Sequence, residues 1–264
     1  MGFLSDLVAE LRRELVEHPP DHEALRTAAT SAPATRDLAA ALHASAAADG
    51  VAVIAEVKRS SPSAGMIADD SDPVARARAY VAGGAAAVSV LTERSHFGGS
   101  LDDLRDVRRV VEPPVLRKDF LVHTDQVLEA RSLGADSVLL IAACLSDDEL
   151  EAMLATSRRL GMEPLVETHS DRDLDRVLAT DARIVGVNAR DLETLDVDVA
   201  AALARLGRIA DGRVAVLESG IRDRSDALRA VDAGASAILV GESLMRADDP
   251  AATVRALIRG KEAG

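Results

Sequence analysis

Eight short apolar runs, beginning 21 to 35 residues apart, constrain this chain more than any other feature. They are Val51–Val57, Ala86–Leu91, Pro114–Arg117, Ser137–Ile141, Glu163–Val166, Ile184–Val187, Val214–Leu217 and Ala237–Val240. The runs are too continuously apolar for a sheet with one wet face, so they read as parallel strands buried on both sides. Between them lie amphipathic stretches such as Pro73–Ala82, Leu101–Val110, Asp147–Leu160 and Asp171–Leu178, with Asp249–Arg259 after the last run. Most open with Asp, Ser or Pro, and several close on Leu-Gly or Ala-Gly, which is how helices start and stop. Right-handed crossovers join such strands, and eight βα units are the number that closes a barrel. An open doubly wound sheet would need a Gly-rich dinucleotide turn after its first strand. Glu56-Val-Lys-Arg-Ser-Ser-Pro-Ser63 stands there instead. The fold class is therefore α/β, a (β/α)8 TIM barrel.

The start of the chain follows another pattern. Leu4, Leu7, Val8, Leu11 and Leu15 fall at helical spacing behind a cap at Ser5, and His18-Pro-Pro-Asp21 stops that helix. Residues 1–48 are expected to form an N-terminal helical extension covering one end of the barrel, which takes up 49–264. The 264 residues suit a single barrel domain of roughly 250.

Composition removes several function classes. Lys+Arg number 31 against 44 Asp+Glu, a net charge of −13. Such a chain lacks the electrostatic footprint of a nucleic-acid or anionic-membrane partner. Aromatics are only 2%, so base-stacking platforms are nearly absent. No uncharged apolar run approaches the roughly 18 residues of a membrane span, and the start fits neither a secretory signal nor a myristoylation pattern. The expected setting is the cytoplasm, as a monomer, with weak homo-oligomerisation the alternative. The lone Cys144 excludes an internal disulfide or a Cys-based metal cluster and reads as a small buried hydrophobe. The six His are scattered without HExxH spacing, so neither metal nor cofactor is expected. His96, His123 and His169 lie near strand ends and read as solvated loop residues.

In a barrel of this kind the active site forms at the carboxyl ends of the strands. The polar residues that follow each apolar run therefore trace the rim: Glu56 and Lys58, Lys118, Glu167, Asn188 and Arg190, Glu218-Ser219-Gly220, and Gly241-Glu242-Ser243. Charges at the mouth of an apolar barrel are costly unless they are paired or in use. Lysines and glutamates placed together offer acid/base pairs whose fields shift pKa values. Lys118, aimed into a desolvated mouth beside other cations, is expected to lose its proton readily. Ser219, Gly220, Gly241 and Glu242 follow strands seven and eight, where barrels commonly hold phosphate. A phosphorylated small molecule is the expected partner. Glu242 is expected to turn outward, leaving backbone N–H groups of Gly220, Gly241 and Glu242 to hold the anion. The glycines would there avoid a Cβ that blocks its approach.

At these residues the chain resembles the indole-3-glycerol phosphate synthase family. The motifs are Ile54-Ala-Glu-Val-Lys-Arg-Ser-Ser-Pro-Ser63, Ser89-Val-Leu-Thr-Glu93 with Phe97-Gly-Gly-Ser100, Val115-Leu-Arg-Lys-Asp-Phe120 and Gly134-Ala-Asp-Ser-Val-Leu-Leu-Ile141. They continue as Met162-Glu-Pro-Leu-Val-Glu167, Val187-Asn-Ala-Arg-Asp-Leu-Glu-Thr194, Leu217-Glu-Ser-Gly-Ile221 and Val240-Gly-Glu-Ser-Leu-Met245. The resemblance implies a carboxy-lyase of tryptophan biosynthesis. Its substrate is 1-(2-carboxyphenylamino)-1-deoxy-D-ribulose 5-phosphate, closed to indole-3-glycerol phosphate with loss of CO2 and water. It further implies Lys118 as the acid for condensation and Glu167 as the proton-transfer partner in dehydration. Lys58 becomes an anion-holding and acid group with Glu56 beside it. Ser61, Asn188 and Arg190 are implied as carboxylate and hydroxyl contacts, and Glu218 as a hydroxyl or lysine-orienting contact. Phe97, Phe120, Leu139, Leu192 and Leu239 would wall the aromatic ring.

Four segments depart from the family pattern, one of them at Ala189, where Asn or Ser is usual. Ala64 stands where Lys often precedes Gly65, His123-Thr-Asp-Gln126 replaces Asp-Pro-Tyr-Gln, and Glu93-Arg-Ser-His-Phe97 varies a loop over the ring pocket. They leave room for a paralogue with the same chemistry in a secondary pathway. A phosphoribosylanthranilate isomerase would use a Cys/Asp pair, which the position of Cys144 disfavours. A non-catalytic phosphate-binding barrel should have lost Lys118 or Glu167, and both are present.

Overall fold

The computed structural model describes residues 2–61, 65–66, 72–210 and 212–259. Three helices come first: α1 (Phe3–Glu17), α2 (His22–Ser31) and α3 (Leu38–Asp49). The barrel strands follow as β1 (Ala52–Val57), β2 (Ala87–Leu91), β3 (Val115–Lys118), β4 (Ser137–Ile141), β5 (Leu165–Thr168), β6 (Ile184–Asn188), β7 (Val214–Glu218) and β8 (Ala237–Val240). Helices α4 (Pro73–Ala82), α5 (Leu101–Val110), α6 (Thr124–Ser132), α7 (Asp147–Arg159), α8 (Asp171–Leu178), α9 (Val199–Leu206) and α10 (Arg224–Asp232) alternate with them. The short α11 (Glu242–Met245) and then α12 (Pro250–Arg259) follow β8. The strands close in the order β1-β8-β7-β6-β5-β4-β3-β2, every pair parallel. This is a TIM barrel.

The apolar pattern places the strands, but several run past their apolar residues. Lys118, Glu167, Asn188 and Glu218 all belong to strands. A parallel ladder is made by backbone groups, so it continues through a polar side chain as readily as through Val. Every residue of the eight strands is buried except Lys118. The barrel thus carries polar groups on rigid backbone at the top of an apolar core. A small antiparallel pair, Ser60–Ser61 with Gly65–Met66, follows β1 and has no signature in the apolar pattern.

The extension differs from expectation in two respects. Helix α1 begins at Phe3, with Gly2 at its N-cap and no side-chain cap. Ser5 lies inside the first turn, and its hydroxyl donates to the Glu193 carboxylate in the loop after β6. The extension also reaches both ends of the barrel. Leu38, Ala39 and Leu42 of α3 are buried against the amino ends of β1, β2 and β7. α1 lies against the 3-10 turn Ala142–Cys144 at the opposite end, where Arg12 bonds the Cys144 carbonyl at 3.1 Å and Glu149 at 2.7 Å.

Candidate active site

The carboxyl ends of the strands surround a cavity of about 460 Å³, within the range of small-molecule sites. Its apolar side brings together Phe97, Phe120, Leu139, Leu192 and Leu239. Phe97 and Phe120 have ring centroids 5.8 Å apart, and Phe3 of α1 stands edge-on to Phe97 at 6.3 Å. All three Phe of the chain therefore meet in one place. Phe3 was not foreseen. The available signal was that a barrel core of Ala, Val, Leu and Ile needs no Phe, so the few present mark a special surface.

The polar side is a cluster of buried charges. Lys118 Nζ lies 3.3 Å from Glu167 Oε2 and 3.4 Å from Glu218 Oε2. Across the mouth Lys58 Nζ pairs with Glu56 Oε1 at 2.8 Å. Glu56, Glu167 and Glu218 are each no more than 2% exposed. The expected depression of the Lys118 pKa is overturned. Burial does press the ammonium toward neutrality, but the carboxylates of Glu167, Glu218 and Glu56 outweigh it and hold the proton above the usual lysine range. The groups that reach Lys118 most closely are acids, while Lys58 is engaged with Glu56. Burial raises Glu56 as well, yet the two lysines together hold it below the usual carboxylate range. Glu218 goes the other way. Burial and the adjacent Glu167 push it up to about 8 despite Lys118. Both of its oxygens lack a hydrogen-bond partner among the described residues.

Strand geometry fixes these side chains. Glu218 fits because residue 186 on the neighbouring strand is Gly, where a Cβ would collide with the Glu218 carboxylate. Glu167 is held by Lys118 and by Asn188, whose Nδ2 donates to Glu167 Oε1 at 3.0 Å. Asn188 Oδ1 in turn accepts from the Arg190 N–H at 2.9 Å. Arg190 Nη1 donates to the Leu195 carbonyl at 2.9 Å, and the guanidinium lines the cavity. Asp119, also unforeseen, accepts from Arg117 at 3.0 Å, Thr92 at 2.5 Å and the Phe120 N–H at 2.9 Å. It thereby fixes the backbone on either side of Lys118.

Ser219, Gly220, Gly241 and Glu242 line the opposite part of the cavity. Ser219 and Gly220 both have positive φ, 66° and 75°. That conformation is costly for Ser and suggests a backbone shaped for a purpose. Gly241 has a further reason to be Gly, beside the one expected. Its φ is −124°, and a Cβ there would strike the Glu56 carboxylate and approach Lys58 Nζ to 3.0 Å. Glu242 turns toward Arg246, which donates to it at 3.2 Å. Arg222 and Arg246 add two guanidinium groups to this side of the cavity, and neither carried a sequence signal.

Other candidate residues stand elsewhere. Ser61 lies in the small antiparallel pair, and its side chain and Ala64 fall outside the described residues. His96 is exposed, with its ring edge-on to Phe3 at 5.2 Å. His123 caps α6 in a reciprocal box with Gln126, so the altered loop keeps a helix start. Cys144 is buried, and burial pushes its thiol pKa up. No described helix is long and apolar enough to cross a membrane.

Comparison with known proteins gives concordant results. The sequence pattern of the indole-3-glycerol phosphate synthase family matches residues 4–257. The chain is 48% identical over 263 residues to indole-3-glycerol phosphate synthase 2 of Streptomyces coelicolor, covering 97% of this chain and 99% of that one. It is 50% identical over 234 residues to the indole-3-glycerol phosphate synthase of Mycolicibacterium vanbaalenii, covering 87% and 83%. Among solved structures, a 3-hexulose-6-phosphate synthase superposes with a TM-score of 0.65 at 15% identity, covering 80% of this chain and 100% of that one. At that identity the likeness speaks for the barrel fold alone.

Proposed function

The chain belongs to the indole-3-glycerol phosphate synthase family, and from that premise we propose how its barrel mouth performs the family's reaction. The reaction is the decarboxylating ring closure of 1-(2-carboxyphenylamino)-1-deoxy-D-ribulose 5-phosphate, a step of tryptophan biosynthesis. The observation that carries the reading is Lys118, an ammonium held charged between Glu167 and Glu218 beneath an aromatic pocket. As the ring carbon attacks the ketone, Lys118 gives its proton to the developing alkoxide. Arg190 holds the carboxylate that then leaves as CO2, and its departure restores the aromatic ring. In the dehydration Glu167 accepts the proton from the carbon next to the nitrogen. Lys58, steadied by Glu56, protonates the departing hydroxyl, which leaves as water.

Phe97, Phe120, Leu139, Leu192 and Leu239 hold the anthranilate ring, Ser61 and Asn188 contact its polar groups, and Glu218 orients Lys118. The phosphate sits against Ser219, Gly220, Gly241 and Glu242 with the two nearby guanidinium groups. The extension and the barrel act as one folding unit, working as a cytoplasmic monomer. The test is fluorescence of the indole product on adding the carboxyphenylamino substrate to purified protein, with no metal or cofactor supplied. Growth of that signal is expected, and no turnover at any enzyme concentration would sink the reading.

A further inference from the structure

Every functional role proposed so far leaves His169 unused, although it follows directly on the strand that carries Glu167. Its ring bridges two loops. Nδ1 lies 2.9 Å from the Asn188 carbonyl at the end of β6. Nε2 lies 3.4 Å from Asp191 Oδ2 in the loop beyond. A backbone carbonyl only accepts, so Nδ1 is the donor in the first contact, and Nε2 attracts Asp191 as the second N–H of an imidazolium. The second contact reaches the organising residue of a small hairpin. Asp191 Oδ1 accepts from the Glu193 and Thr194 N–H groups at 2.6 and 3.3 Å. The hairpin closes with Asp191 N–H on the Asp196 carbonyl at 2.9 Å and Leu195 N–H on the Asp191 carbonyl at 2.8 Å. An antiparallel bridge between Arg190 and Val197 completes it.

This hairpin holds Arg190 through its bond to the Leu195 carbonyl, and it presents Leu192 to the cavity. Leu195 sits at a φ of 67°, a conformation a β-unbranched residue keeps only where its surroundings fix it. We infer that His169 is a positioning residue, which clamps the Arg190 hairpin to the carboxyl end of β5 through Asp191 and so sets the substrate-carboxylate contact. It touches no reacting atom. Its effect reaches the site through Arg190, so it belongs to binding of the ground state more than to proton transfer.

The two ring nitrogens are separable by substitution. The amide of Asn stands near the position of Nδ1, whereas the longer Gln carries its amide to the position of Nε2. His169→Asn keeps the contact to Asn188 and drops the one to Asp191. His169→Gln does the reverse. With Asn, KM is expected to rise roughly tenfold on loss of the imidazolium–Asp191 contact, with kcat within about twofold. With Gln, both constants should stay within about twofold of wild type. Hydrogen exchange of the Asp191 and Leu195 amides should quicken by about tenfold in the Asn variant only. The kinetic part rests on the ring-closure reading, but the exchange part does not, so the two can fail separately. Exchange unchanged in the Asn variant, or equal loss with Asn and Gln, would overturn the assignment.

Discussion

Two buried carboxylates at opposite ends of the barrel show what burial of charge means in this protein. Asp136 stands just below β4, 1% exposed, at the amino end. Its Oδ1 accepts from the Arg36 N–H at 2.8 Å and Arg108 at 3.0 Å. Its Oδ2 accepts from the Val115 N–H at 2.9 Å and lies 2.8 Å from Arg108 Nε. Glu218 is equally buried at the carboxyl end, yet neither oxygen has a hydrogen-bond partner among the described residues, and Lys118 stands 3.4 Å away. A saturated carboxylate joins parts of the fold: Asp136 ties the extension, through Arg36, to the barrel floor. An unsaturated one is costly to the fold and so marks a place where something else is meant to bind or a proton to move.

The strongest way to break this contrast is Asp136→Ala. Removing one member of a saturated buried network should destabilise the fold by about 3–5 kcal/mol, read from urea denaturation, while the folded fraction keeps normal kcat. Lys118→Met tests the other end. There kcat should fall by a factor of at least about 10² with the urea midpoint nearly unchanged. A variant at Lys118 that lost stability and not activity would make both ends structural.

Glu218 sharpens the contrast through pH. Its carboxyl titrates near 8 in the folded chain and near 4.3 when unfolded. The folded state therefore binds the extra proton between those values. The group's stabilising contribution is full below about pH 4 and is lost as pH rises through about 8. Glu218→Gln removes that loss. The thermal midpoint of wild type relative to this variant should fall between pH 6 and pH 9, and a constant difference across that window would show Glu218 to be ionised throughout.

The smallest effects concern the phosphate side. Gly241→Val places side-chain carbon against Glu56 and Lys58, so it should raise KM more than about tenfold and lower kcat as well. Glu242→Ala removes only an exposed pair with Arg246, and KM should change less than about threefold. A large loss from Glu242→Ala alone would mean that its carboxylate, not the backbone, faces the substrate.

The sequence by itself determined the barrel, because eight apolar runs at regular spacing admit few other closed arrangements. It also marked the rim, since Glu56, Lys118, Glu167, Asn188 and Glu218 each interrupt apolar order at the same point of a repeat. Only the tertiary structure decided how those residues act on one another. Lys118 holds its proton because Glu167 and Glu218 come from β5 and β7, strands distant in the chain, separated in the barrel by β6, whose carboxyl ends converge on the mouth. Gly186 matters through the carboxylate that lies over it from the next strand, and Phe3 through a cavity formed some hundred residues away. Periodicity reports which way a side chain faces, whereas pKa and packing depend on what stands opposite, and only the closed barrel supplies that partner.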